Sequence, residues 1–149
     1  EVTPTKFGDA KEKMAQLPAM VKWSIWFALT SAVVTYFAVL QVVDSGEANS
    51  GELKNPLYVA GLLSAIASLG AKHFVRSRSV KEGRVVPFAD QAFIVALALA
   101  ESSAIFGLVL GFQGAPMSDY LPLFAVSLVT FLMVNPRTFL LELDQRPRA

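Results

Sequence analysis

Four long apolar runs, separated by stretches that carry charge, proline and glycine, organise this chain. The first, residues 22–43, reads KWSIWFALTSAVVTYFAVLQVV and has no charge after Lys22. The second, 56–75, is PLYVAGLLSAIASLGAKHFV, with Pro56 at a helix start, where its missing N–H costs little. The third spans 88–112, and the fourth, 119–134, is DYLPLFAVSLVTFLMV. A hydrocarbon core about 30 Å thick takes roughly 20 mostly apolar residues per helix. The pattern therefore predicts an all-α integral membrane bundle of four transmembrane helices over 22–135. The fourth run is short and implies little tilt or a locally thinned bilayer.

Composition agrees, since 54% of the 149 residues are hydrophobic and 17% are charged, too apolar for an ordinary soluble domain. Lys and Arg set the orientation, because they resist translocation from short connections. The segment between the second and third runs, KHFVRSRSVKEGR, holds Lys72, Arg76, Arg78, Lys81 and Arg84, and the N-terminal arm adds Lys6, Lys11, Lys13 and Lys22. These face the cytoplasm in the predicted topology, and Arg137, Arg146 and Arg148 place the C-terminus there too. DSGEANSGELKN and QGAPMSD, which together contain one base, Lys54, face outside. The expected location is a bacterial-type inner membrane or an equivalent energy-transducing one. The first run is too long for a cleavable leader, and no small-residue cleavage site follows it.

Both ends of the chain read as peripheral. In the arm, 1–21, Phe7, Ala10, Met14 and Leu17 fall near one helical face before Pro18, which fits either a surface-lying helix or a linker. The tail, 136–149, can form another short interfacial helix. Trp23, Trp26, Tyr58 and Tyr120 lie near run ends, where interface aromatics collect. Pro122 is placed in the first turn of the fourth helix, where it is tolerated.

The chemistry is narrowed by what is missing. With no Cys and one His, disulfides, iron–sulfur clusters and Cys/His zinc sites are not expected. His73, flanked by bases, reads as an interfacial histidine, with haem ligation as the minor alternative. No cofactor, metal or catalytic residue is assigned. No P-loop, dinucleotide fingerprint or hydrolase motif occurs. The formal charge of +1 points to no nucleic acid. The expected partners are the lipid bilayer and other membrane subunits or copies of this chain.

One residue departs from the apolar pattern. Glu101 lies in ALALAESSAIFGLVLGF about a dozen residues from either end of the third run, near the bilayer midplane. An acid there costs about 3 kcal/mol on insertion scales, so a compensating contact is expected. A neutral carboxyl is the favoured form in such a setting and can donate to Ser64 or Ser68 in the second run, to Thr30, Ser31 or Thr35 in the first, or to the adjacent Ser102 and Ser103. Ala92, Ala96, Ala100, Ala104, Gly107 and Gly111 recur every three or four residues and form a stripe for close helix packing. Glu101 sits at the margin of that stripe, and Leu110 is assigned to the lipid side. Asp90, eleven residues earlier and nearly on the same face, reads as a helix-start acid favoured by the dipole or as a second station on an ion route.

The string IVALALAESSAIFGLVLGF, residues 94–112, resembles the second helix of the proteolipid c subunit of rotary ATP synthases. There a carboxylate follows an Ala-rich run and precedes an A-I-[FY]-G-L-V segment. The resemblance implies that Glu101 binds and releases a translocated proton or cation, with Ala100, Ala104 and Gly107 as packing neighbours. It covers 19 of 149 residues. The second run lacks that family's glycine ladder and Arg-Gln-Pro turn, and the first half of the chain does not repeat in the second. The residues by themselves leave a second reading open, an accessory subunit of a larger membrane complex whose Glu101 fixes helix register.

Overall fold

Helix boundaries follow from local chemistry at each end. The computed structural model describes residues 17–43, 53–82 and 88–137. Over these residues the chain is all-helical, with four helices and no strand. The N-terminal arm and C-terminal tail, for which interfacial helices are predicted, lie outside the described residues apart from Leu17 to Val21 and Pro136 to Arg137.

Pro18 precedes α1 (Ala19–Val42), and its carbonyl accepts the first helical bonds from Val21 and Lys22. Next comes α2 (Lys54–Glu82), with Pro56 in its first turn. Its 29 residues are about 43 Å long, well beyond a hydrocarbon core. The predicted run stops at Val75, but no Gly or Pro occurs between Gly70 and Gly83, so the helix continues through RSRSVKE. Apolarity marks where a helix leaves the membrane, not where it ends. Within this extension Ser79 is buried, 1% exposed.

α3 (Ala89–Phe112) closes in a Schellman motif. Ala115 N–H reaches Leu110 O at 3.1 Å, and Gly114 N–H reaches Gly111 O at 3.0 Å. Gly114 has φ 76°, a left-handed conformation that glycine adopts without Cβ strain. Pro116 then caps α4 (Met117–Met133). The connection is so short that α3 and α4 must be antiparallel neighbours. Because α4 starts two residues before the predicted boundary, Pro122 is its sixth residue and not part of its first turn. The carbonyl of Ser118, one turn earlier, therefore has no helical N–H to accept from.

α3 is the central element and packs against α1, α2 and α4. Phe93, Ala96, Leu97, Ala100 and Ala104 have no exposed surface, and they meet Leu123, Phe124 and Phe131 of α4 in one core. Gly107 and Gly111 are also buried. An ideal Cβ on Gly111 would lie 2.6 Å from both Leu40 methyl carbons of α1, so glycine sets the approach of α1 at that end. Leu110, assigned to lipid from its position beside the stripe, is instead 0% exposed. With three neighbouring helices, the buried arc of α3 is wider than its small-residue stripe.

Helices α1, α2 and α3 are long and apolar enough to cross a membrane. The 17 residues of α4 extend about 25 Å. Its final carbonyls, which no further helical N–H can reach, take side chains from its neighbours. Trp26 Nε1 of α1 donates to Phe131 O at 2.9 Å, and Lys72 Nζ of α2 donates to Met133 O. A cation at that position also complements the helix dipole. Apolar side chains on the outward face of α1, including Phe27 and Val34, are exposed, as lipid contact requires.

Candidate functional site

Glu101 falls midway along α3, and the compensating partner comes from α1. Tyr36 Oη donates to Glu101 Oε1 at 2.8 Å. Both side chains are half-buried, so the pair lies on the flank of the bundle and not in its core. Tyr36 was not among the partners expected from sequence. The signal was present nonetheless: in TSAVVTYFAVL, Tyr36 is a phenol deep inside an apolar run, away from the boundaries where interface aromatics belong. A buried hydroxyl needs a polar partner, and the nearest apolar run with an acid at similar depth is α3.

The serines and threonines named with Glu101, apart from the exposed Ser31, are engaged elsewhere. Ser64 Oγ donates to Ala60 O in its own turn at 2.9 Å, and Ser68 Oγ crosses to Ala96 O at 2.6 Å. Thr30 and Thr35 bond back to Trp26 O and Ser31 O, and Ser102 to Ala98 O. Ser127 Oγ of α4 donates to Ala100 O at 2.7 Å, while Ser103 Oγ lies 3.3 Å from Leu123 O. Ala96 and Ala100 thus sit where neighbouring backbones come close enough for a short serine side chain to bridge them. Each such bond gives a hydroxyl a partner that lipid cannot supply.

Asp90 has a different environment. Its Oδ1 is 2.7 Å from Lys22 Nζ, with the two side chains 11% and 12% exposed, and its Oδ2 accepts the Leu17 N–H at 2.6 Å. Both carboxylate oxygens are therefore occupied, by the start of α1. Eleven residues, about 16 Å along the helix, separate Asp90 from Glu101, so the two acids are individual attachments of α1 to α3. At the opposite end, Lys54 Nζ and Asp119 Oδ2 meet at 2.7 Å and join the starts of α2 and α4. Tyr120, expected at the interface, is 8% exposed and stacks edge-on against Phe124 at 6.3 Å. His73 is exposed on α2, and no cluster of three metal-ligating side chains occurs among the described residues.

Over the described residues these features define an all-helical chain with three helices of membrane-spanning length and composition and one carboxylate halfway along the central helix. Comparison with known proteins finds no matching family model, no matching curated protein and no matching solved structure.

Proposed function

We propose that this chain is a small, non-catalytic subunit of a larger membrane complex, crossing the bilayer four times with both termini cytoplasmic, in which Tyr36 and Glu101 hold α1 in register on α3. The observation that carries this reading is the 2.8 Å bond from Tyr36 to Glu101, which gives the midplane acid a fixed partner within its own chain. The fourth crossing is supported by the two ion pairs. Lys22–Asp90 gathers the starts of α1 and α3, and Lys54–Asp119 gathers the starts of α2 and α4, as alternating helices require. A span of about 25 Å is accommodated by local thinning of the bilayer.

The half-buried position of Glu101 favours one further reading, in line with the proteolipid resemblance: a carboxyl that exchanges a proton or cation on the bundle flank beside Tyr36. Glu101→Gln separates the two. Gln retains an acceptor oxygen for Tyr36, so a register role leaves assembly and activity of the native complex intact. An exchanging role leaves assembly intact but abolishes ion-coupled activity, because an amide cannot cycle between neutral and charged forms. Full activity of Glu101→Gln, with no modification of Glu101 by a hydrophobic carbodiimide in the wild type, removes the exchange reading. Loss of activity in a normally assembled complex removes the register reading. Tyr36→Phe should cost about 0.6 kcal/mol of stability, the usual size of an interhelical hydrogen bond in a membrane.

A further inference from the structure

An open pocket of about 300 Å³ lies where α2 and α4 begin, lined by Lys54, Asn55, Tyr58, Val59, Ser118 and Asp119. That volume is at the small end for binding sites, suited to a headgroup-sized ligand. Two of its lining residues, Lys54 and Asp119, pair at 2.7 Å, with side chains 43% and 19% exposed. An ammonium has three donors and a carboxylate about four acceptor sites, so one contact leaves both groups with capacity to spare. Among the described residues, the Asn55, Tyr58 and Ser118 side chains have no hydrogen bond within the protein, and Asn55 and Ser118 are exposed.

We infer that this pocket binds a phosphoethanolamine group, with the ligand's phosphate on Lys54, Asn55 and Tyr58 and its primary ammonium on Asp119. The charges select the class. A simple anion would be repelled by Asp119 and a simple cation by Lys54, whereas a zwitterion with its charges a few atoms apart meets both. The carboxylate selects a primary ammonium, which donates hydrogen bonds, over a quaternary one, which cannot. Position selects a lipid source: α2 is one of the membrane-length helices, so its first turn is at headgroup level. Val59, 55% exposed on the membrane side of the pocket, offers an apolar surface to the start of an acyl chain. The inference depends on α2 crossing the bilayer and is independent of the role of Glu101.

Native mass spectrometry of the full chain in mild detergent tests it, with phosphatidylethanolamine, phosphatidylcholine and phosphatidylglycerol of identical acyl chains supplied in equal amounts. The ethanolamine lipid should be retained about tenfold over the other two, the scale of one charge-assisted hydrogen bond. Asp119→Asn should bring it down to the level of the choline lipid, and Tyr58→Phe, which leaves the ion pair untouched, should reduce retention of both zwitterionic lipids. Soluble glycerophosphoethanolamine distinguishes the source. Competition at equal concentration means that the site reads the headgroup alone, and absence of competition means that it requires the lipid. Equal retention of the three lipids by the wild type overturns the proposal, as does an unchanged preference in a folded Asp119→Asn variant.

Discussion

Lys22 and Asp90 meet at 2.7 Å with their side chains 12% and 11% exposed, which makes removal of one charge a direct test of how α1 is held. At an effective dielectric constant of about 20, unit charges at that separation attract by roughly 6 kcal/mol. Desolvation of both groups offsets most of this attraction, so the pair's net contribution is small, while orphaning one charge costs about 3 kcal/mol. Here that cost falls toward about 2 kcal/mol, because Lys22 lies at a helix start and can extend to headgroup water. Asp90→Asn removes the charge but keeps an oxygen for the Leu17 N–H. Unfolding in mixed detergent micelles, followed by helicity, should show a loss of about 2–3 kcal/mol, or roughly 30- to 150-fold in the folding equilibrium. Lys22→Met should cost less, since Asp90 retains its backbone partner. The double variant Lys22→Met/Asp90→Asn should return to within about 1 kcal/mol of wild type, because no buried charge is left unpaired. A loss under about 0.5 kcal/mol for Asp90→Asn, or single-variant effects that simply add in the double variant, would refute the assignment of this pair as a buried attachment.

The glycines should differ by position. A Cβ at Gly111 would lie 2.6 Å from Leu40 and one at Gly107 3.1 Å from Phe124, whereas Gly70 has nothing within 4 Å. Gly111→Leu and Gly107→Leu should each destabilise the bundle by about 2 kcal/mol or more, and Gly70→Leu should be tolerated; equal stability of the three variants in the detergent assay would contradict the close approach. The chain has no Cys, so single cysteines report topology cleanly with a membrane-impermeant maleimide. Asn55→Cys and Ser118→Cys should react from outside, and Lys81→Cys and Arg137→Cys from the cytoplasm. Labelling of Ser118→Cys and Arg137→Cys from one side would show that α4 does not cross.

Helix number and type were legible in the sequence because both depend on composition over windows of about twenty residues. The apolar runs survive any choice of neighbours, and the four predicted runs correspond to α1 to α4. Helix ends were less legible. The continuation of α2 to Glu82 and the early start of α4 depend on backbone continuity, to which hydropathy is blind. Glu101 was conspicuous because a carboxylate in an apolar run needs an explanation wherever it points.

The partner of that carboxylate could be decided only in three dimensions. From sequence, each hydroxyl at a similar depth is an equal candidate, and the serines and threonines outnumber Tyr36. Short hydroxyls, however, reach a carbonyl in their own turn or a closely packed backbone, as Thr35 and Ser68 do, while a phenol extends beyond its own helix. Which helix it finds depends on the side of α3 against which α1 packs, and that follows from Leu40 seating on Gly111 at one end and Lys22 reaching Asp90 at the other. The burial of Leu110 has the same origin. Composition determined that these helices suit a bilayer and that one of them carries an acid at mid-depth. The packing of three neighbours around α3 decided which of its faces are core and what Glu101 meets, because those contacts join separate helices, as in Ser68–Ala96 and Tyr36–Glu101, 28 and 65 positions apart, that no local pattern relates.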